Sequence, residues 1–412
     1  MKIVLVQPKA FHSWEALNVA YLKSYAQQFC QDWQFEFYSG YFDSDETILK
    51  GCKDADFVGF SATTPQTVHA RQLAGQLKAQ GIKTKTILGG VHASAQPNHL
   101  KGVFDYIVAG EGEMPLVSIL LGNSLPGIVK YPYISNLDNL PFPDRKFIKQ
   151  ERNIAITEKN DKERIGAIFS SRGCPFRCQF CSSHEVWGRQ ARLHSAKRVM
   201  AEMEGLVNDW NIQFIKFSDD TFTLDEKRVL ELCDLIKERG FKTPWGCNIR
   251  ANTSDKLLEK MKAAGCREVW IGAESGSPRI LKEMRKGITI SMIEHIFEKT
   301  KQLGFYRRVY FLLGWPTETE ADLRLTQQLA RKIQADQYGF SLLCPYPNNI
   351  GFKPSLLDSM DWAMADEYMN PDVKTNEMSH ETIIGWQTDF IREFNDKICF
   401  RQRGEVERPK GC

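Results

Sequence analysis

Short β-branched and aromatic runs alternate with amphipathic stretches along most of the chain, and this rhythm restricts the fold more than any other feature. Lys2–Val6, Gln34–Tyr38, Ala55–Phe60, Thr84–Leu88 and Tyr106–Ala109 have the length and residue types of strands. Helical patterns fall at Trp14–Gln28, Thr67–Gln80 and Glu113–Leu121. Neighbouring strands joined through a helix run parallel, because antiparallel neighbours need only a tight turn. Residues 1–125 are therefore expected to form an α/β domain, a doubly wound, Rossmann-like parallel sheet of about five strands. Glycines and small polar residues sit at strand ends, in Ser61-Ala62-Thr63-Thr64-Pro65, Gly89-Gly90-Val91-His92 and Gly110-Glu111-Gly112-Glu113. Open α/β sheets bind ligands outside the carboxyl ends of their strands, so these loops are expected to line one site. No Gly-x-Gly-x-x-Gly or P-loop follows the first strand, which argues against NAD, FAD and ATP.

Residues 126–163 carry Pro126, Pro132, Pro141 and Pro143 among polar residues and read as an ordered linker. A second βα series occupies residues 164–345. Its strands are expected at Ile165–Phe169, Phe214–Phe217, Pro244–Ile249, Glu268–Gly272, Val309–Leu313 and Gly339–Leu343. Six such units fit a partial, open (β/α)6 barrel, with a second doubly wound sheet as the alternative. Residues 346–412 are mixed and partly helical, a small C-terminal substrate-side region with Trp362, Tyr368, Trp386, Arg392, Arg401 and Arg403.

The totals exclude several classes. A chain of 412 residues has room for two or three domains. A net charge of +3 gives no electrostatic footprint for nucleic acid. No run reaches the ~18 apolar residues of a membrane span, and the amino terminus lacks a signal-peptide core, so a cytoplasmic protein is expected. The cysteine count is eleven, odd and without an export signal, which argues against a disulfide framework.

Three of the cysteines are grouped. Ser170-Ser171-Arg172-Gly173-Cys174-Pro175-Phe176-Arg177-Cys178-Gln179-Phe180-Cys181 places them at C-x3-C-x2-C, directly after the first strand of the second series. Three thiolates on one loop can converge on one metal centre. An iron–sulfur cluster held by three cysteines keeps one iron open, whereas structural zinc needs a fourth ligand. His184 is the nearby candidate for that fourth ligand.

This loop resembles the signature of the radical S-adenosylmethionine (SAM) enzymes, including the aromatic Phe180 before the third cysteine. The resemblance implies that Cys174, Cys178 and Cys181 hold three irons of a [4Fe–4S] cluster and that SAM chelates the fourth. It also implies roles at the strand ends: Asp219 and Asp220 for the SAM ammonium, Asn248 and Arg250 for its carboxylate, Glu274 for the ribose diol, and Gly314 near adenine. Cys247 and Cys344, at strand ends too, are candidate hydrogen-atom relays, though buried thiols are the plainer reading.

The two-domain arrangement is similar to the cobalamin-binding branch of that family. Leu137-Asp138-Asn139-Leu140-Pro141-Phe142-Pro143-Asp144-Arg145 carries the likeness through the linker. The resemblance implies that Thr63, Thr64, Gly89, Gly90, His92, Glu111 and Glu113 contact cobalamin. No Asp-x-His-x-x-Gly follows the first strand, so the cobalamin is expected base-off, with no histidine on cobalt; His12, His69 and His92 stand singly. The activity implied is a radical SAM methyltransferase that uses methylcobalamin and a 5′-deoxyadenosyl radical, with an electron donor such as ferredoxin or flavodoxin. The tail's aromatics and arginines lean the substrate toward an sp3 carbon of a peptide or protein residue, as in methyl-coenzyme M reductase. The alternatives are a small natural-product precursor, or a cyclisation or rearrangement without methyl transfer. Methylthio transfer is disfavoured because Cys30 and Cys52 cannot share a second cluster loop.

Overall fold

A computed structural model describes residues 1–9 and 14–394; His12, Cys399, Arg401, Arg403 and Cys412 lie outside the described residues. The chain divides into two compact units. The first joins Met1–Ile156 to Ser182–Arg192 and Tyr346–Ala363, and the second joins Thr157–Cys181 to Leu193–Pro345 and the chain from Met364 onward.

The first unit is built on β1 (Lys2–Gln7), β2 (Gln34–Ser39), β3 (Phe57–Ser61), β4 (Lys85–Gly89), β5 (Tyr106–Val108) and β6 (Gly127–Val129). They form one sheet in the order β2-β1-β3-β4-β5-β6, every pair parallel. Its strands are apolar on both faces, as a sheet covered by helices on both sides requires: Ile3, Val4, Leu5 and Val6 are all buried. The sixth strand comes from the stretch read as linker. It adds to β5 through backbone pairing at three positions, without an alternating side-chain pattern that would have marked it. The same stretch also holds the helix Glu151–Asp161, in which only Ile154 is buried. The order reverses between β1 and β3, which makes their carboxyl ends the switch-point crevice of the sheet.

The second unit holds β7 (Ile165–Ile168), β8 (Phe214–Phe217), β9 (Trp245–Ile249), β10 (Cys266–Glu274), β11 (Tyr306–Leu313) and β12 (Gln337–Leu342). They lie side by side in chain order, all parallel, with no reversal. That sequential winding is the partial (β/α)6 half-barrel, not a second doubly wound sheet. Its helices begin on side-chain caps. Ser195, Asp225, Ser254, Thr289 and Thr319 each accept a hydrogen bond from the backbone three residues on. Under the sheet, Trp245 packs edge-on to Phe217, with ring centroids 5.5 Å apart. Trp386 and Phe390 of the helix His380–Phe394 pack against each other, and Phe390 packs on Phe340 of β12.

Candidate functional site

In the second unit the cysteine loop grows from an anchored base. Ser170 gives its backbone N–H and its hydroxyl to the Asp219 carboxylate at 3.2 and 3.0 Å, and the Ser171 hydroxyl donates to the same group. Arg228 donates to the Ser170 carbonyl and hydroxyl at 3.0 and 2.9 Å, and to the Phe222 carbonyl at 3.2 Å. Asp219, Arg228 and Ser170 are all buried. Burial raises the Asp219 carboxyl, while Arg228 and the serine donors pull it down. Gly173 then turns the chain at a φ of +87°, open to glycine at no steric cost, and delivers Cys174.

Cys174, Cys178 and Cys181 are partly exposed, whereas Cys30, Cys52, Cys233, Cys247, Cys266 and Cys344 are buried. The loop is tied down by the Gln179 N–H on the Met284 carbonyl at 3.1 Å. Burial raises the Cys174 thiol most, the Phe176 backbone N–H opposes it, and Asp220, Cys181 and Cys178 raise it further. A bound metal reverses that order, since a coordinated thiol is deprotonated outright. Among the described residues no three His, Cys, Asp or Glu side chains are assembled as a ready metal cage. His184 lies 3.0 Å from Glu185.

The strand ends carry a second set of groups. Arg250 is buried, lies 3.6 Å over the Phe176 ring, and donates through Nη2 to the Lys286 carbonyl. Its buried Nε has no hydrogen-bond partner. An unpaired guanidinium N–H beside the cysteine loop is what a ligand carboxylate would satisfy, so the residues fit SAM. A register shift between Gly272 and Glu274 turns Glu274 to a φ of +63°, strain on the order of 1–3 kcal/mol for a non-glycine residue. Lys286 Nζ meets its Oε1 at 2.5 Å and stands 5.6 Å from the Phe180 ring. The acidic pair divides: Asp219 is turned inward onto the loop base, while Asp220 is exposed. Asn248 donates to the Asp219 carbonyl at 3.0 Å and holds that turn. Cys247 and Cys344 are buried thiols.

Gly314, at a φ of +86°, gives its N–H to Glu318 Oε2 at 2.7 Å. The other oxygen of Glu318 is buried without a partner. Burial pushes this carboxyl up to about 8, against the Gly314 and Trp315 N–H groups. Folded Glu318 thus keeps a proton that the unfolded chain releases near 4.5. Its stabilising contribution is full below that pH and falls as pH rises toward 8. Glu318→Gln, neutral throughout, is expected to flatten the fall in unfolding free energy between about pH 5 and 8 in urea titrations. An unchanged slope would contradict it.

In the first unit Gly90 packs backbone on backbone. A Cβ there would stand 2.5 Å from the Ala62 carbonyl oxygen, at a φ of +100°. This close approach seats the end of β4 directly against the end of β3, so only glycine fits there. Gly89 has only ordinary contacts. Thr63 is exposed and its N–H is bound by Gln66, while Thr64 is buried. His92 is buried with Nδ1 3.2 Å from the Thr64 hydroxyl. His69 accepts from the Lys9 N–H at 2.8 Å and lies 2.8 Å from Asp45.

Glu111, expected to reach corrin amides, is instead committed internally. It takes Arg192 Nη1 on one oxygen and the Ile134 N–H on the other, both at 2.8 Å. Glu113 is buried in the first turn of Glu113–Leu120, where the helix dipole favours it. Sequence reasoning missed Arg192, Arg228, Lys286 and Glu318, because each acts through a partner distant along the chain or hidden by burial.

Residues 168–330 match the Radical SAM superfamily, and residues 4–120 match the B12 binding domain. An uncharacterized methyltransferase of Pyrococcus horikoshii is 32% identical over 335 residues, covering 75% of this chain and 72% of that protein. The anaerobic magnesium-protoporphyrin IX monomethyl ester cyclase of Rubrivivax gelatinosus is 27% identical over 350 residues, covering 77% of this chain and 62% of that protein. The fold is similar to that of the radical S-adenosylmethionine methyltransferase TsrM from Kitasatospora setae. The TM-score is 0.69 at 19% identity, over 84% of this chain and 74% of that one.

Proposed function

Because the chain belongs to the cobalamin-dependent radical SAM methyltransferases, we propose that it places a methyl group on an unactivated carbon of a small natural-product precursor. The observation that carries the reading is the set of three half-exposed thiols on one anchored loop, beside the orphaned Arg250 Nε. When bound, the [4Fe–4S] cluster with SAM supplies a hydrogen-abstracting radical, and cobalamin supplies a transferable methyl group.

The chain's own residues position these groups. Cys174, Cys178 and Cys181 would hold three irons of the cluster. Arg250 Nε would take the SAM carboxylate, Asp220 the ammonium, and Glu274 the ribose hydroxyls, with Gly314 against the adenine. Asp219 and Asn248 set the turn that presents Asp220. Thr63, Thr64, Gly89, Gly90 and His92 would line the cobalamin, while Glu111 and Glu113 would shape its loop from behind. A one-electron donor such as ferredoxin or flavodoxin would supply the electron that this chemistry needs. Among the described residues no helix is long and apolar enough to cross a membrane.

A peptide or protein residue, one of methyl-coenzyme M reductase included, is the other substrate class: in the tail Trp362 and Tyr368 are buried, whereas Trp386 is half-buried and Arg392 exposed. The similarity to a tetrapyrrole cyclase favours one second reading, ring closure without methyl transfer. Anaerobic turnover with CD3-labelled SAM separates the two. Methyl transfer yields S-adenosylhomocysteine and 5′-deoxyadenosine in equal amounts with a CD3-bearing product. 5′-Deoxyadenosine with an unlabelled product would establish the second reading instead.

A further inference from the structure

The second unit carries an open groove of about 750 Å³, lined by Pro278, Leu281, Lys282, Arg285, Ile288 and Ile290 among others. Leu281 and Ile288 are buried and form its floor, whereas Lys282 and Arg285 are exposed on its rim. One wall is the helix Pro278–Glu283 with the turn that follows it. That turn also holds the cysteine loop. The Gln179 N–H, between Cys178 and Cys181, donates to the Met284 carbonyl at 3.1 Å. Lys286 Nζ stands 5.6 Å from the Phe180 ring, and the Lys286 carbonyl takes Arg250, which lies over Phe176. Arg285 is thus flanked on both sides by residues that touch the loop.

The positive charge of this groove is not offset. Among the described residues no acidic side chain lines it, and neither Lys282 nor Arg285 meets a carboxylate. The adjacent acid, Glu283, is taken up by the Trp315 indole at 3.0 Å and by Arg279 at 2.9 Å. Arg177, on the cysteine loop itself, is exposed and likewise meets no carboxylate among the described residues.

An apolar surface ringed by cations complements a partner face that is apolar at its centre and rich in carboxylates around it. We propose that this groove docks an acidic one-electron carrier of the flavodoxin type. The apolar edge of its flavin seats against Pro278 and Ile290, and its carboxylates meet Lys282, Arg285 and Arg177. The carrier loses one electron and the [4Fe–4S]2+ cluster gains it, becoming [4Fe–4S]+; no bond forms or breaks and no proton moves. The proposal rests on the cluster reading above.

Lys282→Glu/Arg285→Glu reverses the rim and alters no residue assigned to a cofactor. Calorimetric titration with oxidised flavodoxin reports docking without turnover. The unsubstituted protein is expected to bind, less tightly as salt rises, and the double variant about tenfold more weakly. A carbodiimide, which joins carboxylates to lysines in contact with them, is expected to couple flavodoxin to Lys282 of the unsubstituted protein. With limiting reduced flavodoxin, 5′-deoxyadenosine formation by the variant is expected to fall about tenfold. With titanium(III) citrate, which needs no docking face, it is expected to be unchanged. Flavodoxin that does not bind the unsubstituted protein, couplings that avoid Lys282, or equal affinity in the variant overturns the proposal. So does an equal fall with titanium(III) citrate, because the rim then acts on the cluster and not on docking. No 5′-deoxyadenosine from the unsubstituted protein with either reductant overturns the cluster reading instead, and the binding and coupling results still decide the docking.

Discussion

Cys178→Ala is expected to lower iron from about four atoms per chain to near zero in protein purified and reconstituted without oxygen. 5′-Deoxyadenosine formation should fall below detection with it. Two thiols cannot hold three irons, so the loop loses the ligand set that binds the cluster. Cys174→Ala and Cys181→Ala should behave alike, because the three ligands act as a unit. Cys233→Ala is the control. That thiol is buried, with its pKa pushed up to about 12 by burial. It should cost on the order of 1–2 kcal/mol of packing and leave iron content unchanged. Full iron retention in Cys178→Ala would move the cluster elsewhere.

The second large effect is expected at a residue that touches no cofactor. Asp219→Ala removes the acceptor of three donors from Ser170 and Ser171, and leaves Arg228 buried beside the gap. Leaving a buried donor without its acceptor typically costs about 1–3 kcal/mol, so a fall in urea midpoint is expected. The same loss frees the base of the cysteine loop, so the cluster should be shed faster on exposure to a chelator. Asp219→Asn keeps the shape and one carbonyl acceptor and should lie between the two. Equal stability of all three proteins would mean that the Arg228 bonds to Ser170 suffice without the carboxylate.

The strands were readable because parallel sheets buried on both faces are written as short apolar runs. Phe214–Phe217 was recovered to the residue, and Tyr306–Leu313 was recovered short by the exposed Tyr306 and its polar neighbours. The strand Gly127–Val129 was not, because three residues of backbone pairing beside prolines leave no side-chain period. Nor was the helix Glu151–Asp161, whose single buried residue gives no apolar stripe. At the site, spacing exposed the cysteines, since ligand geometry dictates it. Adjacent Asp219 and Asp220 look equivalent as letters. Which of them turns inward depends on Ser170, Ser171 and Arg228, far enough along the chain that no local pattern could assign the roles.

The first unit is not contiguous in the chain, and this bears on its birth at the ribosome. Glu111 is buried to 4% of its side-chain surface and is neutralised by Arg192, itself buried to 7%. Until synthesis passes residue 192, the nascent sheet has a carboxylate with no cation to meet it. An excised fragment ending at residue 156 would face the same deficit permanently. The first unit therefore matures only after the cysteine loop, which precedes Arg192 in sequence, has left the exit tunnel. The chain cannot finish its first fold before presenting the thiols of its second.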